Sequence, residues 1–182
     1  MTIDIPGYKA GTYVLDSSHS DVNFEVRHMM ISKVRGKFLV KQATLVLPEN
    51  PLDATVEATA DVASVDTNDE GRDGHLRSAD FFDAENFPTI SFVSTGVREE
   101  GDGFVVDGDL TIKDVTRPVT FSLELGGFGS DPWGNYKGGA TAEATIDRED
   151  FGLNWNAALE TGGVLVGKTV KITLDLQGTL QV

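Results

Sequence analysis

Apolar residues recur at every second position over most of this chain. That alternation limits the fold more than any other feature, because a period of two puts side chains on opposite faces of a strand and leaves one face to be buried. Between Asp21 and His28, the residues Val22, Phe24, Val26 and His28 share one face, while Asp21, Asn23, Glu25 and Arg27 share the other. Ala54, Val56, Ala58, Ala60 and Val62 repeat the pattern against Thr55, Glu57, Thr59 and Asp61, and Val170, Ile172, Leu174 and Leu176 repeat it near the C-terminus. Further strands are predicted over 89–97, 104–112, 119–125 and 140–146. Another spans 34–47, where the apolar phase slips from Phe38 and Val40 to Ala43, Leu45 and Leu47, and a β-bulge near Gln42 accounts for the slip. Short turns such as Glu100-Gly101-Asp102-Gly103 join these strands. The pattern therefore predicts an all-β fold, an eight-stranded antiparallel barrel, which is the size at which a barrel can hold one small ligand.

One segment departs from the alternation. Thr67-Asn68-Asp69-Glu70 fits a capping box and predicts one short inserted helix near residues 69–79, with Leu76 its only sizeable apolar residue. Asp69 and Glu70 at its start and Arg72, His75 and Arg77 further on suit the helix dipole, and so polar a helix is expected to lie across a barrel end. The length suits a single domain over 1–182, with 1–11 as an N-terminal extension.

The charge of −14, from 29 acids against 15 Lys plus Arg, excludes a general nucleic-acid partner, which would need clustered positive charge. The absence of cysteine excludes disulfides, thiolate metal sites and a cysteine nucleophile. No basic segment followed by an apolar stretch opens the chain, and no run of apolar residues is long enough for a transmembrane segment; the expectation is a soluble, cytoplasmic protein.

Side-chain size bears on whether the barrel is filled. Ala54, Ala58 and Ala60 on one strand and Ala140, Ala142 and Ala144 on another point inward, where a packed core would hold Leu, Ile or Phe. Small residues leave room for a ligand; alternatively they let the sheet curve sharply or its two sides pack closely. On the first reading the interior is lined by Phe24, Val26, His28, Phe38, Ala58, Ala60, Phe81, Phe82, Phe92, Phe121, Ala142, Ala144 and Trp155, and suits an elongated apolar ligand.

Several segments carry a family resemblance. They are Tyr13-Val14-Leu15-Asp16-Ser17-Ser18-His19-Ser20, Phe24-Glu25-Val26-Arg27-His28, Gly36-Lys37-Phe38 and Arg72-Asp73-Gly74-His75-Leu76-Arg77-Ser78-Ala79-Asp80-Phe81-Phe82. Phe87-Pro88-Thr89-Ile90-Ser91-Phe92, Gly108-Asp109-Leu110-Thr111-Ile112, Val115-Thr116-Arg117-Pro118-Val119 and Asp147-Arg148-Glu149-Asp150-Phe151-Gly152-Leu153 come after them in order. Together they resemble the YceI-like family over roughly residues 12 to 182. The resemblance implies a lipocalin-like barrel with a helix inserted between strands. It also implies an isoprenoid lipid partner, such as a polyprenyl phosphate or an isoprenoid quinone, and no other cofactor. Many relatives look secreted and carry a leader that this chain does not show.

The other candidates each meet a plainer explanation. His19, His28 and His75 could bind metal or act as bases, but their spacing matches no compact ligand motif, so no metal site is expected and local hydrogen bonding is the better account. Gly162-x-x-x-x-Gly167-Lys168-Thr169 matches the phosphate-loop pattern, yet Val170 to Leu176 alternates as a strand where such a loop needs a helix. Arg72, His75 and Arg77 could hold a phosphate head group at the barrel mouth, although Asp73 and Arg77, four apart, could simply pair. No acid occurs from Val26 to Pro48, where Arg27, Lys33, Arg35, Lys37 and Lys41 could meet an anionic membrane or pair across strands with Glu25, Glu57 and Asp61. An enzyme using the barrel as a reaction chamber, with His28 or His75 as base beside Asp73, is the competing class, and a ligand-free stress-response barrel is a third. No nucleophile-base pair is evident, and an apolar rim would be compatible with a homodimer.

Overall fold

The computed structural model describes residues 3–157, 159 and 165–182. Its strands are β1 (Gly11–Leu15), β2 (Asp21–His28), β3 (Ser32–Leu47), β4 (Thr55–Asp66), β5 (Thr89–Glu100), β6 (Gly103–Ile112), β7 (Val115–Ser130), β8 (Tyr136–Asp147) and β9 (Val166–Leu180), with helix α1 (Glu70–Arg77) between β4 and β5. All neighbours are antiparallel in the order β1-β3-β2-β9-β8-β7-β6-β5-β4, and pairing of β3 with β4 closes the sheet on itself. β1 and β2 occupy one position in the ring: β2 lies between Ser32–Phe38 of β3 and Val166–Asp175 of β9, while β1 lies between the far ends of the same two strands. The barrel thus has eight strand positions, one of them broken by the turn at Ser17–His19. β1 is short but alternates as well: Tyr13, at 1% exposure, and Leu15 turn inward, while Val14 faces solvent.

The phase slip in β3 is a bulge: Val40 stands opposite Ala60 and Gln42 opposite Thr59, leaving Lys41 as the extra residue. A larger break lies beyond it, with Leu39 opposite Asp61 but Lys37 opposite Asp66. Over the intervening stretch β4 leaves the ladder; Leu39 N donates to Ser64 Oγ, and Val62 and Val65 turn into the core. This departure carries the chain over the barrel end into α1.

The helix is shorter than the sequence suggests and is capped by Asp69, which accepts from Arg72 N at 3.0 Å, rather than by Thr67. Asn68 takes a left-handed conformation, φ 62°, which delays the helix start. Thr67 is buried and donates through both its backbone N and its hydroxyl to Asp73, which is itself buried. The Asp73–Arg77 pair therefore does not form, and Arg77 Nε donates to Ala63 O instead.

The connections β2–β3, β6–β7 and β8–β9, together with α1, lie at one end of the barrel, here the helix rim. The segment around Gly7 and Tyr8, before β1, crosses the other end as a floor: Tyr8 packs edge-on against Phe128 and donates to Pro48 O at 2.6 Å, and Tyr136 OH donates to Gly7 O. What reads in sequence as an extension is therefore a closing element. Of the phosphate-loop pattern, Gly162 lies outside the described residues, whereas Gly167, Lys168 and Thr169 sit within β9 and lead along a strand. The basic stretch is partly satisfied across strands, since Lys33 and Arg35 both reach Glu25, at 3.0 and 2.9 Å; the ion pairs envisaged with Glu57 and Asp61 are not formed.

Gly36 stands opposite Phe24, and a Cβ there would overlap the Phe24 ring and crowd Thr67. Gly36→Val is expected to destabilise the fold by about 1–3 kcal/mol, as overpacking does, with the loss shrinking when Phe24→Leu is added; urea denaturation of both variants checks this.

At the β1–β2 corner, hydrogen bonds from Ser18, His19 and Lys137 hold the Asp16 carboxyl well below the usual aspartate range. A depressed pKa stabilises the fold above the unfolded aspartate value of about 4 and loses that contribution as pH falls below it. The stability gap between wild type and Asp16→Asn should be flat at neutral pH and narrow below about pH 4, measured by denaturation across pH.

Candidate functional site

The barrel encloses a cavity of about 760 Å³, which runs from Arg72, His75 and Trp155 at the helix rim to Tyr8, Tyr13 and Phe128 at the floor. It is lined along β9 from Val166 to Gly178, which at 3.3 Å per residue and a barrel tilt near 40° corresponds to a length of about 30 Å. Inward residues such as Val22, Phe24, Val56, Ala58, Phe92, Ala140, Ile172 and Leu174 are only partly buried, though they face away from bulk solvent. They border the cavity instead of partner side chains, so the interior is hollow. The buried core is correspondingly divided, with one cluster around Leu110, Phe121, Ala142 and Phe151, one under α1 around Phe38 and Val65, and one at the floor around Tyr13.

The alternation rule places most lining residues. Phe24, Val26 and His28 on β2, Phe38 on β3, Ala58 and Ala60 on β4, Phe92 on β5, Phe121 on β7 and Ala142 on β8 all line the cavity, as do Phe81 and Phe82 after α1 and Trp155 in the segment before β9. Ala144 does not: it shares a buried core cluster with Phe151 and Leu153, which follow β8. Arg77 is also excluded, being tied to the β4 backbone. Phe128 lines the floor and was hidden from a period-two reading, because a register shift between Leu125 and Gly127, where φ is 122°, resets the phase.

Charge is distributed unevenly around this cavity. Its Arg, His and Asp lining groups, Arg27, His28, Asp69, Arg72, His75 and Arg148, belong to the helix rim. At the floor, burial raises the phenol pKa of both Tyr8 and Tyr13, which keeps that end neutral. At the rim, His75 Nε2 donates to Asp80 Oδ2 at 2.9 Å, and the ring meets those of Trp155 and Phe81 edge-on, at 4.6 and 5.1 Å. Arg72 spans Thr67, with Nε donating to Oγ1 at 2.8 Å and Nη2 to the carbonyl at 2.7 Å; its Nη1 makes no hydrogen bond among the described residues. Asp73, which a base at His28 or His75 would need beside it, is committed to Thr67. His19, at the far corner, pairs with Asp16. Among the described residues, no three of His, Asp and Glu converge to hold a metal ion.

Arg148 is the rim residue that motif reasoning overlooks. It opens the turn Arg148–Phe151, which ends on left-handed Gly152, φ 76°. Its side chain is 3% exposed and donates to four carbonyls, Nε to Gly167 at 2.8 Å, Nη1 to Leu153 and Trp155, and Nη2 to Val166. No carboxylate pairs with it among the described residues, and burial pushes the guanidinium pKa down, opposed by the charges of Glu149 and Asp147. It ties the Trp155 segment to the start of β9. Arg148→Met should leave those carbonyls unpaired and destabilise the protein by about 3 kcal/mol, with Arg148→Lys recovering only part; thermal melting of the two variants is the check.

Comparison with known proteins places this geometry. The model of the YceI-like domain matches residues 13–178. A UPF0312 protein of Staphylococcus aureus (strain MSSA476) is 41% identical over 162 residues, covering 87% of this chain and 92% of its own. Among solved structures, BcnA of Burkholderia cenocepacia superposes with a TM-score of 0.77 at 25% identity, covering 90% of this chain and 98% of BcnA. A polyisoprenoid binding domain from Saccharophagus degradans shares the fold, with a TM-score of 0.68 at 15% identity over 95% of this chain and 100% of that domain.

Proposed function

The chain belongs to the YceI-like family, and on that premise we propose that it is a non-enzymatic carrier or store for an elongated apolar ligand, a polyisoprenoid such as a polyprenyl phosphate or an isoprenoid quinone. The observation that carries this reading is the hollow interior: apolar side chains face a cavity along the full barrel, with charge at one end only. A hydrocarbon tail fills such a space with a gain of about 0.8 kcal/mol for each methylene removed from water, so tail length sets affinity. The tail end lies against Tyr8, Tyr13 and Phe128, and the head group sits at the helix rim. There Arg72, whose Nη1 has no partner among the described residues, can donate to phosphate or quinone oxygen, and Arg148 adds buried positive charge. The relation to a polyisoprenoid binding domain supports the ligand class. No helix among the described residues is long and apolar enough to cross a membrane.

Native mass spectrometry of the purified protein, followed by solvent extraction, is expected to show a co-purifying lipid or uptake of added prenyl phosphate or quinone. Recovery of neither overturns the carrier reading. Ala58→Trp should place an indole in the cavity and weaken uptake by about tenfold, the factor set by about 1.4 kcal/mol of lost tail burial, while the barrel still melts cooperatively.

A further inference from the structure

The hairpin joining β2 to β3 ends at the helix rim in Met29-Met30-Ile31, whose residues are 42%, 61% and 81% exposed. Ile31 N closes the turn on His28 O at 3.2 Å, and Met29 and Met30 both hold left-handed backbone, φ 54° and 58°. Turns of this geometry favour Asn and Gly, because a Cβ is disfavoured in that region. Large apolar side chains therefore stand in water where neither solvation nor turn geometry favours them, and such a local violation points to a contact surface.

The surroundings indicate what the tip meets. The segment from Val26 to Pro48 contains no acid in a chain of net charge −14. Arg27 and Lys33 face each other at the base of the tip, and Arg35 lies further along the same strand as Lys33. Glu25 engages Lys33 and Arg35, whose side chains remain 50% and 75% exposed, while Arg27 makes no ion pair among the described residues. Charges further than about 8 Å are largely screened at physiological ionic strength, so these cations outweigh the distant acids of the barrel wall. The tip is also continuous with the mouth: Met29 N donates to Leu165 O at 2.7 Å, and Leu165, Arg27 and His28 line the cavity.

We propose that the Met29–Ile31 hairpin is the edge by which the barrel mouth docks on an anionic lipid bilayer. Met30 and Ile31 enter the acyl boundary, and Arg27, Lys33 and Arg35 lie at the level of the head groups. A second copy of the chain seated tip to tip would juxtapose the same cations, which disfavours that occupant. Asp69 and Glu70 put acid at the start of α1, whereas the hairpin carries none, so the mouth approaches hairpin first. Docking rests on the carrier reading for its purpose, since a docked mouth lets an isoprenoid tail pass between bilayer and cavity without crossing water.

The test is co-sedimentation with phosphatidylglycerol vesicles and with phosphatidylcholine vesicles, using the whole chain and the double variant Met30→Ser with Ile31→Ser. Because the chain has no cysteine, Ser32→Cys carrying an environment-sensitive dye reports insertion at a single site. Wild type should bind the anionic vesicles in a salt-sensitive way, with a blue shift of the dye. The double variant should bind about tenfold more weakly or worse, with its melting temperature and its uptake of prenyl ligand from detergent unchanged. Equal vesicle binding by the double variant overturns the proposal. So does wild type that takes up ligand from detergent but binds no vesicles, an outcome that leaves the carrier reading intact. Vesicle binding lost with the tip, in a protein that takes up no ligand, supports docking and overturns the carrier reading. Self-association that depends on Met30 and Ile31, without vesicle binding, overturns docking in favour of a second copy.

Discussion

The ladder between β3 and β4 is the pairing on which the rest of this molecule depends. It joins the two ends of an antiparallel sheet, removes the open edges that an unclosed sheet would expose, and turns one face of every strand toward a common axis. The two irregularities in that ladder are productive. The bulge at Lys41 bends β3, and the departure of β4 between Asp61 and Asp66 lifts the chain over the barrel end, so that α1 is delivered to the rim. Once the barrel is closed, the size of the inward residues decides whether it is solid or hollow. Ala58 beside Phe92 and Ala142 beside Leu174 on adjacent strands all border a space that none of them fills.

The two ends of the cavity are built by different means. Aromatic residues and the segment before β1 seal the floor, where Tyr8 and Tyr13 direct their hydroxyls to backbone carbonyls and present rings to the interior. The helix rim is held by polar knots. Thr67, Arg72 and Asp73 lock the start of α1 to the end of β4, and Arg148 gathers the Leu153, Trp155, Val166 and Gly167 carbonyls into one cluster. These groups satisfy one another's hydrogen bonds while leaving the mouth with positive charge and aromatic edges. The resulting gradient, neutral and aromatic below and cationic above, suits the amphipathic ligand proposed for it.

Much of this was legible in the chain. The alternating positions on β2, β4 and β9 identify their inward faces, and the slip between Val40 and Ala43 locates a bulge, because both are properties of a strand considered alone. Where local pattern misled, a contact distant in sequence had intervened. Ala144 obeys the alternation yet is covered by Phe151 and Leu153, and Phe128 lines the floor because a glycine bulge shifts its phase. Asp73 and Arg77 have the spacing of a helical ion pair but serve Thr67 and Ala63.

Sequence by itself determined the fold class, the strand faces, the small side chains that leave the interior open and the family, since each is written in local periodicity, residue size or motif order. Only the tertiary structure decided that the segment before β1 closes the floor, that charge gathers at one rim, that Arg148 is buried among carbonyls and that the Met29–Ile31 tip stands beside the mouth. Those outcomes depend on which strands become neighbours when the sheet closes. Closure brings together residues that no local pattern relates.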